Sequence, residues 1–150
     1  TLVRQVLPDS AYQLFARMSV GDQLHAVRVL RDLRRLGPIS TDLEQAALLH
    51  DVGKADASLS LVYRVVIVLL QAVSPGLVHR LARGNARSWR RPFAIHLEHA
   101  RRGACLCQMA GCAPTVVALV RYHDASSPHE IAEPALAEAV GLLRLADDEA

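Results

Sequence analysis

Apolar residues recur at three- and four-residue spacing along nearly the whole 150-residue chain, and no stretch alternates apolar and polar over a strand's length. A half-buried strand needs a period of two, a helix one of about 3.6. Most glycines and prolines fall between the periodic blocks. The pattern predicts an all-α fold of six to eight helices. With no repeat, low-complexity tract or linker, it predicts a single domain over residues 1–150.

Asp9 and Ser10 are placed to cap a helix running to about Met18. Ser19 to Asp22 open a second, with Leu24, Val27, Leu30 and Leu33 or Leu36 as its buried stripe, and Gly37-Pro38 ends it. Thr41-Asp42-Leu43-Glu44 has the capping-box form, so a third helix starts there and closes near Gly53. An apolar helix is expected from about Ser58 to Val73, and a short one from Ser74-Pro75 to Gly84-Asn85. Residues 85–92 read as a basic loop. Further helices are predicted from about Phe93 to Ala110, from Pro114 to about His123 and from Pro134 to about Asp148.

Composition narrows the function classes. Hydrophobic residues make up 51% and the net charge is +2, which excludes a disordered chain. Three cysteines are an odd, sparse set that excludes a disulfide scaffold and suits a reducing compartment. Aromatics at 4% are too few for the stacking platforms that bind single-stranded nucleic acid. The most apolar run, Val65 to Leu70, is far shorter than the ~20 residues of a membrane span. No signal-peptide pattern is visible. A cytoplasmic location without a transmembrane segment is expected, and a segment upstream of Thr1 is left open.

The residues that can carry chemistry begin with His50 and Asp51, adjacent at the predicted end of the third helix. Neighbouring helical side chains diverge by about 100°, so the two can meet one ion only where the helix is ending. Gly53 is expected to supply that ending. An imidazole nitrogen beside a carboxylate oxygen suits Fe, Mn, Co, Ni, Zn or Mg rather than a thiolate-selected metal. Of the 17 basic residues only Lys54 is a lysine, and it follows Asp51 by three positions.

The string Leu48-Leu49-His50-Asp51-Val52-Gly53-Lys54 resembles the HD-domain superfamily of metal-dependent phosphohydrolases. Within it the match is to the His-Asp-x-Gly-Lys branch, which includes the HD-GYP cyclic dinucleotide phosphodiesterases. The resemblance spans residues from about 20 to 148 and implies the HD-domain helical bundle. It implies His25 as the upstream ligand and Asp147 as the terminal one. His99 with Gly103 matches a His-x-x-x-Gly pattern that supplies a second metal, and His123 matches a further ligand. The implied set of His25, His50, Asp51, His99, His123 and Asp147 suits two divalent ions, with Asp51 as the bridge. Ions in such sites sit ~3.5–4 Å apart and hold a hydroxide as nucleophile. The resemblance also implies that Lys54 contacts the scissile phosphate, where a compact ammonium suits charge neutralisation.

Several positions depart from that pattern. After His123 the chain reads Asp124-Ala125-Ser126-Ser127-Pro128, so the Gly-Tyr-Pro signature is absent and a cyclic dinucleotide substrate is in doubt. Asp124 stands where the branch has a second histidine, and could serve as a ligand or as an acceptor behind one. Three-metal members carry a carboxylate one turn before the first histidine. Gly21 stands there, so a third ion would need Asp22. His96 shares the His99 face and is expected to be exposed or to support a ligand. His79 and His129 are read as surface residues. Asp148 and Glu149 are read as solvated charges, with Asp148 the alternative to Asp147.

Cys105 and Cys107 lie about 200° apart on a helix and cannot face one ion, so with Cys112 they read as core or half-buried residues. Seven arginines from Arg80 to Arg102 make a basic surface against one acid, Glu98. Arg101 and Arg102, next to the His99 turn, are candidates for a substrate phosphate.

The leading expectation is a hydrolase of a small phosphorylated, nucleotide-like substrate, a phosphomonoester or phosphodiester. The near-neutral chain does not suit duplex DNA, and nothing in the sequence sets an oligomeric state. The same ligand pattern occurs in HD-type di-iron oxygenases. A silent regulatory or binding module is the third reading, motivated by Asp124 and the missing signature.

Overall fold

The computed structural model describes residues 2–55, 91–124 and 131–150, with the backbone alone for 91–97. Among them are seven α-helices and no strand. The helices are α1 (Leu2–Val6), α2 (Asp9–Ala16), α3 (Val20–Leu36), α4 (Thr41–Leu49), α5 (Arg91–Met109), α6 (Pro114–Tyr122) and α7 (Pro134–Glu149), and a 3-10 turn covers Val52–Lys54. The fold class is all-α, a helical bundle. The helices expected over 58–73 and 74–84, the run Val65 to Leu70, most of the arginine segment, and His79 and His129 lie outside the described residues. Among the described residues no helix is long and apolar enough to cross a membrane.

Local chemistry sets the helix ends. The Ser19 hydroxyl accepts from the Asp22 backbone N–H and opens α3. Gly37, at φ 148°, closes it in a conformation that side chains avoid. The cap of α4 is Ser40, one residue earlier than the capping-box reading: its hydroxyl accepts from the Leu43 N–H. Leu43 occupies the position that a reciprocal glutamate would need, and Glu44 instead pairs with Arg34 at 2.6 Å. Neither Asp9 nor Ser10 caps α2. Its cap residue is Pro8, with no side-chain bond, and Ser10 Oγ donates to the Ala110 carbonyl at 2.8 Å. Helix α5 begins at Arg91, so it takes in the last two residues of the predicted basic loop.

The buried face of α3 also differs from the predicted stripe. Ala26, Val29, Leu30 and Leu33 are fully buried, whereas Leu24 and Leu36 are more than half exposed. Helix α3 packs on both α4 and α7. Small Ala26 and two polar residues, Asp22 and His25, lie along that inward side, so a count of large apolar residues finds the wrong line.

Helix α4 lies against α3 and α6, α5 packs on α6 and on the 3-10 turn, and α7 rests on α3 and α6. Leu30, Leu33, Leu48, Leu49, Leu119 and Leu143 are fully buried within one apolar cluster. Each fully buried leucine is worth about 1.5–3 kcal/mol relative to exposure. The ends of α4 and α6 meet the flanks of α3, α5 and α7 around the 3-10 turn, and that junction holds the polar residues.

Candidate metal centre

Helix α4 stops at Leu49. His50 keeps helical angles as its cap, and Asp51 turns to φ −94°, ψ 4° before the 3-10 turn. That break brings His50 Nε2 to 3.7 Å from Asp51 Oδ2. Gly53 does not make the break by a left-handed conformation; its φ is negative, unlike those of Gly37 and Gly111. Its role is space. A Cβ at Gly53 would lie 1.9 Å from the His99 carbonyl oxygen and 2.8 Å from the Gly103 nitrogen. A Cβ at Gly103 would in turn lie 3.2 Å from the Gly53 nitrogen. The two glycines let the turn carrying Asp51 touch the backbone of the helix carrying His99.

His99 from α5 and His123 from the end of α6 close the other side. Their Nε2 atoms are 3.2 Å apart, and they lie 3.6 Å and 4.0 Å from Asp51 Oδ1. His25 from α3 meets Asp147 from α7 at 2.7 Å, and Asp147 Oδ1 is also 3.2 Å from His50 Nε2. All six residues of the implied ligand set therefore lie in one connected cluster. It contains two groups whose donor atoms lie within 4.8 Å of one another: His25, His50 and Asp51, and Asp51, His99 and His123. Asp51 belongs to both. His50, Asp51, His99 and His123 are buried, while the side chains of His25 and Asp147 are 28% and 29% exposed.

Two of the rings are aimed by backbone. His50 Nδ1 is 2.9 Å from the Ala47 carbonyl, and His123 Nδ1 is 2.7 Å from the Val120 carbonyl. Each is a helix-capping residue bonded to the carbonyl three residues before it. A carbonyl only accepts, so Nδ1 carries the hydrogen and the neutral ring presents its Nε2 lone pair to the cluster. His50 Nε2 is fully buried and, among the described residues, has no aligned hydrogen-bond partner, although both carboxylates are near. A buried lone pair facing two carboxylates is the arrangement that a divalent cation satisfies.

The electrostatics point the same way. Burial opposes ionisation of Asp51, yet His50, Lys54 and His99 outweigh it and hold the carboxyl well below the usual carboxylate range. Asp147 is likewise held low against its burial, by the hydrogen bond with His25 and by the nearby His50 ring. Burial works against a charge on His50, and the attraction of Asp51 and Asp147 overcomes it and raises its pKa. Burial drives His123 down to about 3, helped by repulsion from His50 and His99.

Lys54 Nζ sits on Asp51, 2.7 Å from Oδ1 and 2.8 Å from Oδ2. Its side chain is 23% exposed. The remaining candidates lie further out. Arg101 is exposed and Arg102 half-buried on α5, and neither bonds to the cluster among the described residues. Asp124 is exposed beside His123. The side chain of His96 and the stretch 125–130 are outside the described residues. Asp22 is buried near the start of α3, where its carboxylate accepts from Ser19 Oγ at 2.6 Å, and it joins neither donor group. Asp148 and Glu149 are exposed. The aiming carbonyls of Ala47 and Val120 carry no side-chain signal. The usable hint was a histidine at each predicted helix end.

No protein-family model, curated protein or solved structure matches this chain.

Proposed function

We propose that the protein is a metal-dependent phosphohydrolase of the HD-domain type, acting on a phosphomonoester or phosphodiester of nucleotide-like character. The observation that carries the reading is the shared carboxylate: Asp51 belongs to both donor groups, and the chain's one lysine rests on it. In this reading His25, His50, Asp147 and Asp51 would hold one divalent ion, and Asp51, His99 and His123 would hold a second. Ions there would lower the pKa of a water and polarise a phosphoryl oxygen at neutral pH.

The chain's own residues supply the rest. The Ala47 and Val120 carbonyls fix two rings, so little reorganisation is needed when substrate binds. Buried His50, His99 and His123 exclude water from the inner side. His25, Asp147 and Lys54 are the more exposed members and mark the side of approach. Lys54 can exchange its contact with Asp51 for a phosphate oxygen and neutralise charge that grows there.

The test starts from protein purified without chelator or affinity nickel. Elemental analysis is expected to give close to two transition metals per chain. The Mn-loaded protein is then assayed under nitrogen on p-nitrophenyl phosphate and bis(p-nitrophenyl) phosphate. Turnover without oxygen, mostly lost in His50→Ala and Asp51→Ala, supports the reading. Unchanged turnover in either variant overturns it, as does failure to retain metal after anaerobic Fe or Mn loading. Chemistry that needs Fe and oxygen would transfer the site to the oxygenase class.

A further inference from the structure

The end of α5 carries a second chemical feature, apart from the metal centre. The Cys112 N–H donates to the Cys107 carbonyl at 3.0 Å, and the Gly111 N–H donates to the Gln108 carbonyl at 3.1 Å. Gly111 has φ 76°. Those two bonds and a left-handed glycine make a Schellman cap, which brings the side chains on either side of it, here 107 and 112, into contact. Apolar residues usually fill that contact. In this chain the two positions are both cysteines, close enough for each thiol to shift the other.

The two sulfurs differ in access. Cys107 is fully buried in the core, and Cys112 is half-buried. Cys112 lines a cleft of about 350 Å³ that also holds Gln108, Val117, Tyr122 and Arg121. The guanidinium of Arg121 suits a small anionic ligand in that cleft. Cys105 is exposed and makes no such pairing among the described residues, which gives the molecule an internal comparator. Burial raises both thiols, Cys107 to about 12, and the half-buried Cys112 is the sulfur that a reagent in the cleft can reach.

We propose that Cys107 and Cys112 form a reversible thiol–disulfide exchange site for anionic low-molecular-weight disulfides, with Cys112 as the entering sulfur and Cys107 as the resolving one. Cys112 thiolate attacks one sulfur of the small disulfide; that S–S bond breaks, and one small thiolate leaves. Cys107 then loses its proton and attacks the Cys112 sulfur of the mixed disulfide, expelling the second small thiolate. Two protein thiols are oxidised, one small disulfide is reduced to two thiols, and the two thiol protons end on the leaving sulfurs. The product ties α5 to the corner that leads into α6, the two helices that carry His99 and His123.

The test uses the full chain and oxidised glutathione. After incubation and alkylation, intact mass is expected to fall by two hydrogens for an internal disulfide, with Cys105 accounted for separately by alkylation or glutathione. Fragmentation should place the bond between Cys107 and Cys112. Cys105→Ser should form it unchanged, and Cys112→Ser should leave Cys107 reduced. Dithiothreitol should reverse it. If the wild-type protein carries glutathione on Cys105 while Cys107 and Cys112 stay reduced, the proposal is overturned. A disulfide that involves Cys105, or one that forms only in denaturant, overturns it equally.

Discussion

His25 Nε2 lies 2.7 Å from Asp147 Oδ1, tying α3 to α7 across 122 residues of sequence. The same oxygen faces His50 at 3.2 Å, so one carboxylate serves two rings from different helices. Asp147 joins neither donor group itself, and it pairs with His25 and His50, on the side away from His99 and His123. Asp147→Asn keeps the shape and removes the charge. Metal content is expected to fall from near two ions per chain to near one, read by elemental analysis. The ion assigned to Asp51, His99 and His123 should remain. Equal loss of both ions would count against the division into two sites.

Gly53→Ala tests the close approach. The added Cβ would lie 1.9 Å from the His99 carbonyl oxygen, which is backbone and cannot swing away. The 3-10 turn and α5 must separate, carrying Asp51 away from His99. We expect a loss of about 1–3 kcal/mol, the usual range for overpacking, in urea unfolding. Metal should be lost first from the His99 and His123 side. A variant with unchanged midpoint and full metal content would contradict the packing role.

Of the six clustered residues, His50 and Asp51 were legible from their adjacency at a predicted helix end, and the resemblance implied the other four. His50 and Asp51 sit at a helix end, and His99 precedes a glycine by one turn. What was not legible depends on packing between distant segments. Leu24 reads as buried from its spacing, yet α3 turns toward α4 and α7 through Ala26 and Val29. Gly53 reads as a helix stop, whereas its use is to admit the backbone of residue 99. The cap of α4 shifted from Thr41 to Ser40 because several hydroxyl and carboxylate side chains adjoin there. Cys105, Cys107 and Cys112 read as core or half-buried residues; Cys105 is exposed instead, and only the cap geometry joins the other two.

Lys54 separates metal binding from turnover. Its ammonium contacts both oxygens of Asp51, which the proposed ions would also use. Removing it should leave metal content unchanged or tighten retention against a chelator. Turnover of a phosphodiester should fall about 10²–10³-fold, the usual cost of one group that stabilises growing charge. Lys54→Met, which keeps the stem, and Lys54→Arg, which keeps the charge, make the comparison. A Met variant with full turnover would remove Lys54 from the mechanism. A Met variant that loses its metal together with its turnover would make the residue structural.

The histidines predict a stability maximum for chelator-treated protein near pH 6.5. His123 is held at about 3 in the folded chain by burial and by repulsion from His50 and His99. Below the ordinary imidazole value of ~6.5, the unfolded chain takes up a proton that the folded one refuses. Stability then falls as pH falls, by at most about 1.4 kcal/mol per pH unit, until the folded ring also protonates. His50 is shifted the opposite way, against its burial, by Asp51 and Asp147. Its contribution is complete below ~6.5 and is lost as pH rises through its raised folded value. Urea midpoints from pH 4.5 to 8.5 should therefore decline on both sides, and His123→Gln should flatten the acid side alone. Bound metal should reverse the alkaline limb, because an ion needs the His50 nitrogen without its proton. Metal-loaded protein that also weakens from pH 6.5 to 8.5 would mean that His50 is not a ligand.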